Sequence, residues 1–190
     1  MRNDPQAQYR RSIRLKRYDY TQPGVYFVTI CAQNRECLFG EIVAGEMRLS
    51  EAGRIVLEEW ERTPEIRSEI QLGEWIIMPN HIHGIIVITE KDGSVVRAHG
   101  RAPLQDAMPK RAPRSLGAFI AGIKSITTKR INVQRGTPGA PVWQRNYYEH
   151  IIRNEAEWER IRGYIQINPV RWEEDQLHLA HRLNNFIENK

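Results

Sequence analysis

The stretch Trp75-Ile-Ile-Met-Pro-Asn-His-Ile-His-Gly-Ile-Ile-Val-Ile88 organises the prediction of the fold. Two apolar runs flank the interruption Met78-Pro-Asn80, and they predict two buried strands. His81 and His83 open the second strand. Successive side chains of a strand point to opposite faces, so both imidazoles project from the same face of the sheet. Two imidazoles on one face of a rigid strand can supply half of a metal site.

Length and composition are those of a single globular domain with extensions. The chain has 190 residues, of which 41% are hydrophobic and 27% charged. The apolar run around His83 is too short and too interrupted to cross a bilayer. The N-terminus has no apolar segment typical of a secretory signal, so we predict no membrane association and a cytoplasmic protein. Cys31 and Cys37 fit neither a disulfide framework nor a zinc ribbon, and we predict two free thiols.

The distribution of charge is more informative than its total, a net charge of +5 and a pI of about 9.4. Basic residues concentrate in segments 1–17 and 97–135, whereas acidic residues concentrate in 41–69 and after 155. Such segregation indicates a basic face for a polyanion such as nucleic acid. Charge alone leaves open the alternative of solvated basic tails and loops.

Strands that pair in hairpins, without a regular βαβ rhythm, predict an α+β fold: an antiparallel sheet with helices packed on one or both faces. We predict a basic N-terminal arm over 1–20, one domain over 21–172 with a long basic loop at about 91–114, and a C-terminal tail over 173–190. Local patterns place the other elements. They are a strand over Gly24–Cys31, a hairpin or frayed edge around Ala44-Gly45, a helix over 52–62 capped by Ser50 and ended by Thr63-Pro64, a helix from 116 to about 132 capped by Ser115, an extended segment or strand over 142–152, and a helix from Asn154 to about 168.

The His-apolar-His triplet is by itself a weak metal signal. Pro79-Asn80 places it at the start of a strand, where we expect solvent and substrate to reach it. A zinc site would normally have further Cys or His ligands close by in sequence, and none lies near His81 and His83. Two imidazoles with one oxygen ligand better suit Mn²⁺ or Mg²⁺, which can also hold phosphate oxygens. A metal hydrolase other than a nuclease is disfavoured, because no carboxylate lies near the pair in sequence.

The last predicted helix carries Tyr164 and Asn168, which are four residues apart and therefore lie one above the other on one stripe. A tyrosine and a carboxamide on one stripe can approach a single point on a neighbouring sheet. Spacing alone leaves open a simpler interpretation. Tyr164 would then be a core-edge residue with a hydrated hydroxyl, and Asn168 a residue at the helix end before Pro169.

Taken together, three stretches resemble the single-tyrosine HUH transposases, and within them the REP-associated tyrosine transposases. They are His81-Ile-His83 after Met78-Pro-Asn80, the segment Trp143–Asn154, and Tyr164-Ile-Gln-Ile-Asn-Pro169. The resemblance extends from about Tyr26 to Trp172. The wider family has Tyr-x-x-x-Gln in its tyrosine motif. Asn168 departs from that pattern but agrees with the REP-associated branch.

The resemblance implies an HUH-nuclease fold, a ferredoxin-like variant of the α+β class. It also implies a metal-dependent single-stranded DNA endonuclease and strand-transferase that acts on hairpin-forming repeats, as a monomer or a homodimer. His81 and His83, with Asn168 as third ligand, would hold Mg²⁺ or Mn²⁺. Tyr164 would attack the scissile phosphate and form a 5′-phosphotyrosine. The alternatives are a catalytically inactive protein that binds hairpin DNA, and an HUH nickase of the replication-initiator type.

Contacts to DNA are predicted from the basic segments and from the aromatic residues beside them. Tyr147 and Tyr148 could stack on a base, or could instead pack under the sheet, and neither has a carboxamide four residues later. The predicted DNA contacts are Arg14, Arg17, Arg111, Arg114, Lys124, Arg145, Tyr148 and Arg153.

Overall fold

The sheet that carries the two histidines has four antiparallel strands. A computed structural model of the chain describes residues 22–89 and 114–178. The strands are β1 Gly24–Cys31, β2 Gly40–Val43, β3 Glu46–Leu49, β4 Ile70–Met78, β5 His81–Ile88 and β6 Tyr148–Ile152, and the helices are α1 Glu51–Glu61, α2 Thr63–Ile66, α3 Leu116–Arg135 and α4 Glu155–Ile167. The strand order in the sheet is β4-β5-β1-β6, and strands β2 and β3 form a separate hairpin. The predicted α+β fold is confirmed.

The three long helices begin at the caps that the sequence predicts. Ser50, Ser115 and Asn154 have extended backbones, and each side chain accepts a hydrogen bond from the N–H three residues further on. Helix α3 ends at Gly136, whose φ of 64° lies in the left-handed region that glycine adopts without strain. These local signals fix where α3 and α4 start on the sheet.

Helices pack on both faces of the sheet. Tyr26, Val28 and Ile30 of β1 lie in one core with Trp60 of α1 and Phe119 of α3. On the opposite face Phe27 and Ile85 pack against Ile161, which belongs to α4. His81 and His83 have the same parity on β5 as Ile85, so both imidazoles lie on the α4 face.

Gly84 allows the close packing of α1 beneath the histidine strand. A Cβ atom built on Gly84 would lie 2.7 Å from the Trp60 indole, and Trp60 is fully buried. Only a residue without a side chain therefore leaves room for that indole.

Two local predictions differ from the structure. Thr63-Pro64 was expected to end a helix; it ends α1 but also starts α2, because proline is tolerated in the first turn of a helix. Strand β4 begins at Ile70 and not near Trp75, since a register shift between Leu72 and Trp75 breaks the alternation that identifies strands.

The predicted N-terminal arm and nearly all of the predicted basic loop lie outside the described residues. Within 22–89 and 114–178, no helix has both the length and the apolar character needed to cross a membrane. Cys31 and Cys37 are free thiols, as predicted.

Candidate functional site

His83 is held at both ring nitrogens. It pairs with Thr29 across β1 and β5, and the Thr29 Oγ1 atom lies 2.8 Å from His83 Nδ1. On its other side, His83 Nε2 lies 3.2 Å from the Tyr164 hydroxyl. The Phe27 ring stacks on the imidazole with centroids 5.4 Å apart. Burial lowers the pKa of His83 to about 3, so the imidazole is neutral at neutral pH and can act as a ligand.

His81 is held in one tautomer by Asn80. The Asn80 Nδ2 group donates to the carbonyls of Arg35 and Leu177, at 3.1 and 2.8 Å, which turns its oxygen toward His81. Asn80 Oδ1 lies 2.8 Å from His81 Nδ1, so Nδ1 carries the proton and donates it. Burial, and then electrostatic interactions with His83 and Arg35, hold the pKa of His81 well below its usual range. A neutral ring with its lone pair on Nε2 follows.

Three buried polar atoms beside this pair lack a hydrogen-bond partner within the described part of the chain: His81 Nε2, Asn168 Oδ1 and Asp175 Oδ2. His81 Nε2 and Asp175 Oδ2 face each other at 3.9 Å. Ligand atoms of His81, His83 and Asp175 all lie within 4.8 Å of one another. Unpaired buried polar atoms are costly, so the facing atoms of His81 and Asp175 indicate a missing partner.

A divalent cation fits this donor set. The lone pair of His81 and the Asp175 carboxylate repel each other, and 3.9 Å is too long for a shared proton. A cation held by both residues would remove this repulsion and give each of the two atoms a partner. Imidazole nitrogens with carboxylate and carboxamide oxygens suit Mn²⁺ and Mg²⁺ better than a thiolate-preferring ion.

Tyr164 places its hydroxyl at the edge of this cluster from α4. Its side chain is 44% exposed, and its ring meets Phe27 edge to face with centroids 6.2 Å apart. Burial raises the pKa of the Tyr164 phenol and so does the Asp175 carboxylate, while a hydrogen bond with Asn168 lowers it. The phenol therefore stays protonated at neutral pH unless positive charge is brought close to it.

The tyrosine and His83 line an open cleft of about 760 Å³. Its floor is the sheet face formed by Phe27, Thr29 and Tyr148, and α4 forms one wall. Arginines at its rim supply positive charge beside the reactive groups; they are Arg35, Arg160 and Arg171. An elongated anionic ligand can therefore reach the Tyr164 hydroxyl.

The segment after α4 packs against His81 and Asn80. Trp172 is buried and its ring lies 6.0 Å from that of His81, and the Leu177 carbonyl accepts from Asn80. Asp175 belongs to the segment from 173 onward that the sequence predicts to be a tail. The prediction that the histidines have no carboxylate partner was wrong, because Asp175 Oδ2 lies 3.9 Å from His81 Nε2. Both imidazoles are more buried than the start of a strand suggests, since His81 is 0% and His83 2% exposed, and only His83 borders the open cleft.

The predicted metal and tyrosine residues lie together, whereas the predicted DNA contacts are scattered. Arg14, Arg17 and Arg111 lie outside the described residues. Tyr148, 43% exposed, lines the cleft. Arg114 and Arg153 are exposed but line neither this cleft nor a second groove beside α3, where Lys124 and Arg145 lie. Tyr147 packs against the core of the opposite face.

Three residues of the site gave no sequence signal. Thr29 supports His83 across the sheet, Asn80 orients His81, and Asp175 lies in the segment after α4. The sequence predicts Asn80 only as part of the break before β5 and of the motif Met78-Pro-Asn80, without a role of its own. Their roles depend on strand register and on the path of the chain after α4, which neither motif spacing nor periodicity encodes.

Three sequence relatives and one solved structure are similar to this chain. No protein-family model matches the chain. An uncharacterized protein of Haemophilus influenzae is 42% identical over 175 residues, which is 90% of this chain and 94% of the relative. A putative REP-associated tyrosine transposase of Haemophilus influenzae is 26% identical over 82% of this chain and 75% of its own length. The REP-associated tyrosine transposase of Escherichia coli is 23% identical over 82% of this chain and 72% of its own length.

A solved structure shares the fold. It is that of a REP-associated tyrosine transposase bound to a REP hairpin, with a TM-score of 0.54 and 19% identity over 83% of this chain and 73% of that chain. The sequence relatives and this shared fold confirm the resemblance inferred from the histidine and tyrosine motifs. In sequence and in fold the chain is similar to REP-associated tyrosine transposases.

Proposed function

We propose that this protein is a metal-dependent endonuclease and strand-transferase for single-stranded DNA next to a hairpin, with Tyr164 as its nucleophile. One observation carries the proposal. The phenolic oxygen lies 3.2 Å from His83 Nε2, beside buried donor atoms that lack partners among the described residues, in a cleft open to a polymer. A REP hairpin is bound in the structural neighbour, which supports this substrate class.

His81, His83 and Asn168 would hold Mg²⁺ or Mn²⁺, and Asp175 would add a carboxylate. When bound, the ion supplies positive charge to the phosphate oxygens and favours the phenolate. Thr29 and Asn80 keep the two imidazoles in the orientation that turns Nε2 toward this point.

The reaction is a transesterification at phosphorus. A bond forms between the Tyr164 Oη atom and phosphorus, and the bond from phosphorus to the 3′-oxygen breaks. The proton lost by the phenol is balanced by the one taken up at the 3′-oxygen. The products are a 5′-phosphotyrosine and a free 3′-hydroxyl. The phosphodiester energy is retained, so a second 3′-hydroxyl can reverse the step and join strands without a nucleotide cofactor.

An adduct assay tests this proposal. The protein is mixed with a labelled single-stranded oligonucleotide that contains a hairpin taken from repeats flanking its own gene, with Mn²⁺ or Mg²⁺, and run on a denaturing gel. We expect a labelled band at the summed mass, absent with EDTA and in Tyr164→Phe. Tyr148→Phe is the matched control, since it removes a hydroxyl from the same cleft and should leave the band.

Each other result points to a different function. A band that survives Tyr164→Phe places the nucleophile elsewhere. Tight binding without cleavage favours an inactive DNA-binding protein. Cleavage that is never followed by transfer to an added 3′-hydroxyl favours a nickase of the replication-initiator type.

A further inference from the structure

Arg35 lies at the end of the sheet where the candidate metal site is. It follows β1 by four residues, and the last residue of β1, Cys31, is the direct partner of His81 in β5. Arg35 also lines the open cleft, together with Cys31 and Gln176. Its Nη1 atom donates to the Gln176 carbonyl at 3.2 Å. The guanidinium is therefore held beside the residue that follows Asp175 in the chain.

The backbone of Arg35 has a conformation that arginine rarely adopts. Its φ of 58° lies in the left-handed region, as does the φ of Asn34 at 56°. Two hydrogen bonds hold it there: its N–H donates to the Ala32 carbonyl at 3.0 Å, and its carbonyl accepts from Asn80 Nδ2 at 3.1 Å. Strained backbone of this kind is concentrated at functional sites. Because Asn80 also orients His81, the position of Arg35 is tied to that of the histidine.

Most of the hydrogen-bonding capacity of the Arg35 guanidinium is unused. A guanidinium has five N–H donors, and within residues 22–89 and 114–178 the Gln176 carbonyl is the only acceptor of this one. Its charge nevertheless acts on the site. Burial raises the pKa of the Cys31 thiol, whereas the Arg35 charge lowers it. The same charge contributes, after burial and His83, to the low pKa of His81.

The other two arginines of the cleft differ from Arg35. Arg171 forms an ion pair with Glu174 at 3.4 Å, and Arg160 is exposed. Neither of them is among the groups that shift the pKa of the two histidines or of Tyr164. Of the arginines that line the cleft in the described part of the chain, Arg35 is therefore the one whose charge acts on the site.

We propose that Arg35 is a further catalytic residue of the transesterification, and that its guanidinium binds a non-bridging oxygen of the scissile phosphate. The inference rests on the proposed function, because it takes that phosphate to lie between the Tyr164 hydroxyl and the metal site. A guanidinium donates well to phosphate oxygens and does not lose its proton. Arg35 would thus supply a permanent positive charge to the phosphate oxygens in the transition state. No bond to Arg35 forms or breaks in the reaction.

The first test changes the residue and the substrate together. Adduct formation by the wild-type chain, Arg35→Met and Arg35→Lys is timed with Mn²⁺ in a single turnover. The substrates are the hairpin oligonucleotide and the same oligonucleotide with a neutral methylphosphonate at the scissile position. On the normal substrate we expect Arg35→Met to react about 100-fold more slowly, and Arg35→Lys to recover part of the rate. On the methylphosphonate, whose charge is already removed, the wild-type chain and Arg35→Met should react at similar rates.

Arg171→Met is the comparison, because it removes a charge of the same cleft that already has a carboxylate partner. Its effect should fall on the affinity for the oligonucleotide, by a similar factor for both substrates. An equal loss of rate in Arg35→Met on both substrates would overturn the inference. A wild-type rate of Arg35→Met on the normal substrate would overturn it as well, and would leave the proposed function intact. If the wild-type chain forms no adduct, the proposed function fails too.

The second test distinguishes catalysis from a purely structural role and needs no DNA. A purely structural Arg35 would hold Gln176 and, through it, Asp175, so its loss would weaken Mn²⁺ binding. A catalytic Arg35 is a cation near the metal site, so we expect Arg35→Met to bind Mn²⁺ as tightly as the wild-type chain or more tightly. Electron paramagnetic resonance measures the affinity. Mn²⁺ binding that is about tenfold weaker in Arg35→Met would overturn the catalytic role.

Discussion

Individual residues around the histidines determine which ring nitrogen is available. Asn80 is locked by two backbone carbonyls, and it therefore forces the proton of His81 onto Nδ1. Thr29 can both donate and accept, so its hydroxyl adapts to either state of His83. Asn80 thus fixes the tautomer of His81, whereas Thr29 can pair with either tautomer of His83.

Replacing Thr29 by valine tests this support with almost no change of shape. The His83 Nδ1 atom would lose its partner in a buried position, so we expect metal affinity to fall about 10- to 100-fold and the unfolding free energy to fall by about 1–3 kcal/mol. Mn²⁺ titration followed by electron paramagnetic resonance measures the first, and urea unfolding the second. Thr89→Val is the control, since Thr89 is equally buried at the far end of β5. Equal Mn²⁺ affinities in both variants would contradict this role.

Replacing Asp175 by asparagine tests whether its carboxylate is a ligand. The variant keeps the side-chain oxygen that accepts from the Leu177 N–H and removes only the charge that faces His81. We expect Mn²⁺ to bind at least about tenfold more weakly, while the metal-free protein is no less stable because a buried unpaired charge is gone. Glu173→Gln makes the same change in charge on an exposed neighbour outside the cluster. Should both variants bind Mn²⁺ alike, Asp175 is not a ligand.

At the scale of the element, strand β5 performs different tasks on its two faces. The face toward α4 presents His81 and His83, whereas the opposite face packs on α1 through the gap left by Gly84. The strand is central in the sheet and paired on both sides. Packing on one face therefore limits movement of the ligands on the other.

A pair of glycine substitutions separates packing from helix propensity. Gly84→Ala would bring a methyl group to 2.7 Å from the buried Trp60 ring, so we expect a loss of about 1–3 kcal/mol of unfolding free energy. Gly122→Ala in α3 meets open space and should stabilise the protein by about 0.5–1 kcal/mol. Urea unfolding measures both. A Gly84→Ala protein as stable as the wild type would show that Trp60 can move aside.

At the scale of the whole molecule, the features that could be predicted from the sequence are those that depend on neighbouring residues in the chain. Ser50, Ser115 and Asn154 mark helix starts because a cap acts on its own helix, and alternation places His81 and His83 on one face whatever the sheet order is. Asp175 was not predicted because it reaches His81 only after the chain has turned back past α4. Whether the predicted ligand Asn168 shares its role with that carboxylate stays a prediction.

The path of the chain that brings Tyr164 beside His83 has a consequence for mixed populations of the protein. Both side chains belong to one copy, 3.2 Å apart, and α4 packs on the sheet of its own chain. A copy that lacks Tyr164 and another that lacks His83 should therefore fail to rescue each other in one tube. Recovery of adduct formation in that mixture would mean that copies exchange their tyrosine helices. Without such exchange, a defective allele is not dominant negative: its own product is inactive, and the product of an intact allele stays active.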